Sequence, residues 1–152
     1  MPVADLVIGT ELPPTTLTVD AGRLRFFAKT IGETNPVYPD TAAANDAGHP
    51  DLPVPPTFLF SIELDDPDPF DFLAKAGVDL RFVLHGEQTF TYHSIAYPGD
   101  VLTATPRIAD VYSKKGGTLE FIVKETAVTR AGGSPVADLK SVIIVRDPGV
   151  GP

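Results

Sequence analysis

The feature that most constrains this fold is a change of hydrophobic period about halfway along the chain. In the first half, apolar residues recur at helical spacing between proline-rich breaks. In the second, they alternate residue by residue. Leu24, Phe27, Ala28 and Ile31 fall at i, i+3, i+4 and i+7, the apolar stripe of an amphipathic helix. Asp20 is placed to cap its start and Gly32 to end it, which predicts a helix over Ala21 to Ile31. Thr41 to Ala47 predicts a second short helix closed by Gly48. Leu52-Pro53-Val54-Pro55-Pro56 must be extended. Proline is favourable at the first helical position, so Pro56 or Thr57 opens a helix running through Leu64. Phe58, Leu59, Phe60, Ile62 and Leu64 make it apolar on most sides, which predicts burial. Pro69 to Ala76 predicts a further short helix ended by Gly77.

After that point the pattern is that of strands. Leu84, Gly86, Gln88, Phe90 and Tyr92 alternate with His85, Glu87, Thr89, Thr91 and His93. Tyr97-Pro98-Gly99-Asp100 is a turn signal, followed by a strand from Val101 to Tyr112 in which Pro106 marks an edge or a bulge. Lys114-Lys115-Gly116-Gly117 predicts a hairpin turn. Leu119, Phe121 and Val123 then alternate with Glu120, Ile122 and Lys124. Ala131-Gly132-Gly133-Ser134 turns the chain into a last strand, Val136 to Val145, whose Val142-Ile143-Ile144-Val145 run predicts burial on both faces. A short strand near Thr15 to Val19 completes the sheet. Helices first and a meandering antiparallel sheet second give an α+β class, with the sheet wrapped around the apolar helix. A plain α+β sandwich has the same order of elements.

Composition narrows the function. The 152 residues predict one domain, 1–152, and a hydrophobic content of 43% suits a packed core. There are no cysteines, which excludes disulfides and thiolate chemistry. Three histidines stand at no metal spacing, so no metal and no cofactor are expected. A formal charge of −8 disfavours nucleic acid, whose phosphates need clustered Lys and Arg. No apolar run approaches the roughly 20 residues that span a bilayer. The start, Met1-Pro2-Val3-Ala4-Asp5, lacks the basic and apolar regions of a signal peptide. A cytoplasmic protein without a membrane partner is therefore expected.

Four segments carry a family resemblance: Gly32-Glu33-Thr34-Asn35-Pro36-Val37-Tyr38, Val54-Pro55-Pro56-Thr57-Phe58, Leu84-His85-Gly86-Glu87-Gln88 and Pro98-Gly99-Asp100-Val101-Leu102. In this order and spacing, over Val19 to Val145, they resemble the MaoC-like hot-dog hydratases and dehydratases. These act on enoyl or 3-hydroxyacyl thioesters of coenzyme A or acyl carrier protein. The last three segments resemble the branch of degenerate, FAS1-like N-terminal dehydratase domains, which includes separate subunits of heterodimeric dehydratases. The family's signature loop runs Gly-Asp-x-Asn-Pro-aliphatic-His before an Ala-rich helix. Gly32, Asn35, Pro36 and Val37 match it, while Glu33 replaces Asp and Tyr38 replaces His.

The resemblance implies a hot-dog fold and a site whose chemistry has been altered. Hydration of an enoyl thioester needs a base, an acid and donors to the enolate-like oxygen. Tyrosine titrates near 10 and histidine near 6.5, so an unperturbed tyrosine is a poor base at neutral pH. A carboxylate moved by about 1 Å costs on the order of a hundredfold in rate, and Glu33 has one methylene more than Asp. The expected oxyanion donor falls at Pro55-Pro56, and proline has no N–H, which leaves Thr57 as the first donor. The resemblance thus puts Glu33 and Tyr38 at degenerate catalytic positions and Asn35, Pro56, Thr57 and Phe58 at the substrate. His85, Gly86, Glu87 and Gln88 fall at the subunit interface, with Gly86 allowing close backbone approach.

Read without the resemblance, Glu33 is a solvated loop carboxylate, Tyr38 packs on its loop, and Phe58 to Leu64 is core. Phe70 and Phe72 either wall an acyl tunnel or cover the core. The function expected is a subunit of an (R)-specific enoyl-thioester hydratase or 3-hydroxyacyl-thioester dehydratase. It accommodates an acyl-CoA or acyl-carrier-protein thioester and pairs, as a hetero- or homodimer, with a MaoC-like subunit. The alternatives are a self-sufficient homodimeric hydratase using Glu33, and a non-enzymatic acyl-thioester binding module.

Overall fold

The computed structural model describes residues 3, 6–147 and 149. Four of the five residues of the start read as lacking a leader, Met1, Pro2, Ala4 and Asp5, lie outside them. The order of elements is β1 (Thr15–Thr18), α1 (Ala21–Thr30), α2 (Thr41–Asp46), a central 3₁₀ helix (Pro56–Asp65), α3 (Asp71–Lys75), β2 (Val83–Tyr92), β3 (Val101–Lys114), β4 (Leu119–Arg130) and β5 (Pro135–Arg146). The strands form one antiparallel sheet in the order β1-β3-β4-β5-β2. The central helix packs on one face of this sheet, the hot-dog arrangement.

Helix ends fall where the local chemistry requires. The Asp20 carboxylate accepts from the Arg23 amide at 3.0 Å and opens α1. Gly32 takes φ +71°, a left-handed conformation that closes the helix and turns the chain into the signature loop. Asp40 caps α2 in the same way through the Ala42 amide. The core beneath the central helix gathers Leu24 from α1, Phe58, Leu59 and Ile62 from the helix itself, and Leu102, Val128 and Leu139 from the sheet. A second cluster around Leu73, Ile108, Ile122 and Ile143 fills the other end of the sheet.

Three expectations change. The central helix is buried along one side only: Phe58, Leu59, Ile62 and Glu63 are buried, whereas Phe60 is partly buried and Leu64 is 45% exposed. Its open side faces the edge strand β2 and leaves a groove there. In β3 the bulge lies between Ile108 and Asp110, and Pro106 stands just past the residues that pair with β1. In β2 the simple alternation fails because Gly86 is a bulge: His85 pairs with Ile143, and Glu87 pairs with Val142. The extra residue carries His85 onto the same face as Gln88, Phe90 and Tyr92, which looks toward the central helix.

In β4 the residues toward the helix are Glu120, Ile122, Lys124, Thr126 and Val128, all buried. Leu119 and Phe121 lie on the other side, where Phe121 stacks on Tyr112 with centroids 4.8 Å apart. The core side of this strand is therefore its more polar side, and Lys124 there is paired with Glu63.

Candidate functional site

The signature loop is tied down by its own side chains. One Glu33 carboxylate oxygen accepts from the Asn35 amide at 3.0 Å. The Asn35 side-chain oxygen accepts from the Val37 amide at 3.2 Å, and the Tyr38 amide donates to the Asn35 carbonyl. Glu33 and Asn35 thus act as turn caps, as short polar side chains commonly do. Tyr38 points elsewhere. With Val37 and Pro56 it walls a cavity of about 350 Å³ at the start of the central helix.

The opposite wall comes from the end of β2 and the segment after it, Tyr92 to Ala96, and from His49 beyond α2. Burial pushes the Tyr92 phenol upward, with Tyr38 as a second contribution, so Tyr92 is a neutral hydrogen-bonding group here. Two histidines face this cavity. His49 Nδ1 is 2.9 Å from the Tyr97 hydroxyl, and His93 Nε2 donates to the Asp138 carboxylate at 2.7 Å. Neither was singled out from sequence. Their only signal is residue type, and the partners are 48 and 45 positions away.

The remaining expected site residues separate. Pro56 lines the loop cavity, but Thr57 faces a different depression farther along the helix, with Phe60, Ser61, His85, Gln88 and Phe90. Phe58 is 1% exposed in the core, its ring edge-on to Phe27 at 5.4 Å and the Arg23 guanidinium over its face. Pro55 and Pro56 have no N–H, and the Phe58 amide already donates to the Pro55 carbonyl. The helix start therefore presents a proline ring to the loop cavity.

The His85 to Gln88 quartet divides at the bulge. The His85 ring lies 5.2 Å from Phe60, and its Nε2 donates to the Glu87 carbonyl and to Gln88 Oε1. Ser141 Oγ donates to the same Gln88 oxygen at 2.6 Å. His85 and Gln88 are thus turned toward the central helix. Gly86 lies against Ile144, where a Cβ would come within 2.6 Å of the Ile144 side chain. Glu87 is exposed.

Together these cavities trace a groove between the central helix and β2. It begins at Tyr38 and Tyr92, and beyond the stacked Tyr92 and Phe90 rings comes the second depression, at Thr57. Through the shared Phe60 and His85 it enters an apolar cleft of about 360 Å³ walled by Phe70, Leu73 and Ile143. A ten-residue 3₁₀ helix rises about 20 Å, which sets the length available along it. Lys124 is among the residues that line the apolar cleft. Among the described residues no group of three or more His, Asp or Glu side chains is arranged to hold a metal, and no helix is long and apolar enough to cross a membrane.

Residues 6–139 match the family profile of the FAS1-like dehydratase domain region. A UPF0336 protein of Leifsonia xyli subsp. xyli is 36% identical over 154 aligned positions, covering 96% of this chain and 97% of its own. Among solved structures, the HadBC (3R-hydroxyacyl-ACP dehydratase) complex from Mycobacterium tuberculosis superposes with a TM-score of 0.75 at 23% identity, over 91% of this chain and 98% of that one. The MaoC-like dehydratase from Rhodospirillum rubrum gives 0.68 at 17% identity, over 95% and 97%. These structural likenesses establish the fold.

Proposed function

The chain belongs to the FAS1-like dehydratase domain family, and from that premise we propose that it is the acyl-accommodating subunit of an (R)-specific enoyl-thioester hydratase or 3-hydroxyacyl-thioester dehydratase. In this reading 1–152 is one hot-dog domain whose partner is a MaoC-like subunit with an intact Asp and His. The observation that carries the proposal is the use of Glu33. At the position where the reaction needs a base, its carboxylate caps the turn at the Asn35 amide instead of facing the cavity. Tyr38 does face the cavity, but a tyrosine hydroxyl in place of the loop's histidine is a poor general base for activating water. The prolines at the helix start supply no donor for the thioester oxygen.

What remains is a binding surface. The groove from Tyr38 to the apolar cleft suits an extended acyl chain, with the thioester near the helix start and the tail against Phe60, Phe70 and Leu73. The partner's loop then supplies acid and base. The exposed side of β2, with the apolar Leu84 and the free strand edge, is where that partner docks. The HadBC complex named above, a dehydratase built from more than one chain, has the same fold.

The test is to express the chain alone and together with a MaoC-like protein carrying the intact signature loop, and to measure hydration of crotonyl-CoA. Activity is expected only from the pair, and full activity from this chain alone overturns the proposal. One observation supports a second reading, a self-sufficient homodimer. His49 and His93 both face the loop cavity and each holds a hydrogen-bonding partner. That reading requires activity from the chain alone, with a large loss on His49→Gln and little on Glu33→Gln.

A further inference from the structure

The apolar cleft that ends the groove is bordered on one side by a buried ion pair. Lys124 Nζ lies 3.0 Å from a Glu63 carboxylate oxygen, and the two side chains are 11% and 9% exposed. Thr126 donates to the same Glu63 oxygen at 3.1 Å, and the Lys124 ammonium sits over the Phe72 ring. The second Glu63 oxygen is buried with no partner. Lys124 borders two spaces. On one side is the apolar cleft that ends the groove, and on the other a cavity of about 500 Å³ reached past Glu63, Phe72 and Asp68.

Resting on the acyl-accommodating reading, we infer that Lys124, held in place by Glu63, is the stop that sets the longest unbranched acyl tail this chain accepts. A growing tail gains affinity while it covers Phe70, Leu73 and Ile143. The next methylenes meet a charged ammonium already committed to a carboxylate. Moving it aside leaves Glu63 buried without its counter-ion, a cost that one or two further methylenes do not offset. An apolar tail therefore halts at Lys124 although open volume lies beyond it.

The experiment measures binding of a ladder of saturated acyl-CoA thioesters, from butanoyl to stearoyl, by titration calorimetry to the assembled pair of this chain and its MaoC-like partner. Affinity should climb by about fourfold per added methylene while the tail lengthens inside the groove, then level off or fall at a definite length. In the double variant Glu63→Gln with Lys124→Ala, which removes the stop without stranding a charge, the climb should continue and the break move to longer chains. A wild-type ladder without a break overturns the inference with no reference to any variant, as does a break that stays in place in the variant. Failure of every thioester to bind is a different result: it removes the acyl-accommodating reading itself, and the stop with it.

Discussion

At the scale of single residues, Gly86 and Glu120 show how closely the sheet is specified. Gly86 is an extra residue in β2, and a Cβ there would meet the Ile144 side chain at 2.6 and 2.9 Å and the Val142 carbonyl at 3.2 Å. Gly86→Ala is expected to cost about 1–3 kcal/mol in urea denaturation, as overpacking does. Adding Ile144→Val, which removes the nearest atom, should recover part of that loss but not all, because the Val142 carbonyl remains. Glu120 is 5% exposed, and one of its oxygens has no hydrogen-bond partner among the described residues. Burial first, and then Asp147, raises its carboxyl above the usual range. An acid raised in the folded state holds its proton more tightly there than in the unfolded chain. Its destabilising effect is therefore absent below the unfolded pKa and develops as pH rises through the folded one. Glu120→Gln should stabilise the protein by on the order of 1 kcal/mol at pH 7. That advantage should shrink as thermal melts are taken to progressively lower pH.

Elements are held mainly by burial, and their visible ion pairs contribute little. Arg23 of α1 makes a two-point contact with Asp65 at the end of the central helix, at 2.6 and 2.7 Å. The Arg23 hydrogen bonds hold the Asp65 carboxyl below its ordinary value, against the opposite pull of burial. That contribution is present above the unfolded pKa and is lost as pH falls through the folded one. Both side chains are about a third exposed, at 36% and 32%, so screening reduces the pair to roughly 0.5 kcal/mol. Leu24→Ala on the same helix, at a fully buried position, should cost about 2–5 kcal/mol. Paired chemical melts of Asp65→Asn and Leu24→Ala at pH 7 check that order, and salt should reduce only the first effect. The bounds of these elements were legible because Asp20, Gly32 and Gly48 act on their own neighbours. The register of β2 was not, because a bulge at Gly86 leaves the residue pattern intact while moving His85 to the other face. The inward side of β4 was hidden for a related reason. Lys124 is buried only because Glu63, 61 positions away, is there to pair with it. Tyr38 was legible in the candidate site through the loop motif, whereas His49 and His93 became visible only when folding brought them to the cavity.

For the whole molecule, the decisive question is what covers the exposed edge of the sheet. β2 lies at the end of the strand order, so one side of its backbone pairs with β5 and the other is free. A free edge of ten residues invites another strand, and native proteins usually guard such edges with charge, proline or a covering element. Here the neighbourhood is apolar: Leu64, Phe70, Leu80 and Leu84 are each between 43% and 49% exposed. A solvated apolar patch beside an unpaired edge is the signature of a surface made to be covered. Joining a second hot-dog sheet along β2 would satisfy the free backbone groups and at the same time roof the groove beside the central helix. A charge placed there should therefore separate assembly from folding. Leu84→Lys is expected to leave the melting temperature of the isolated fold nearly unchanged, because this side chain is half exposed already. It should elute apart from the co-expressed MaoC-like partner, at the monomer position, in size-exclusion chromatography with light scattering. Acyl-CoA affinity should fall with it, since an unroofed groove exposes the tail to water. If Leu84→Lys still co-elutes with the partner and binds acyl-CoA like the wild type, the partner does not sit on β2, and the groove is closed by some other means.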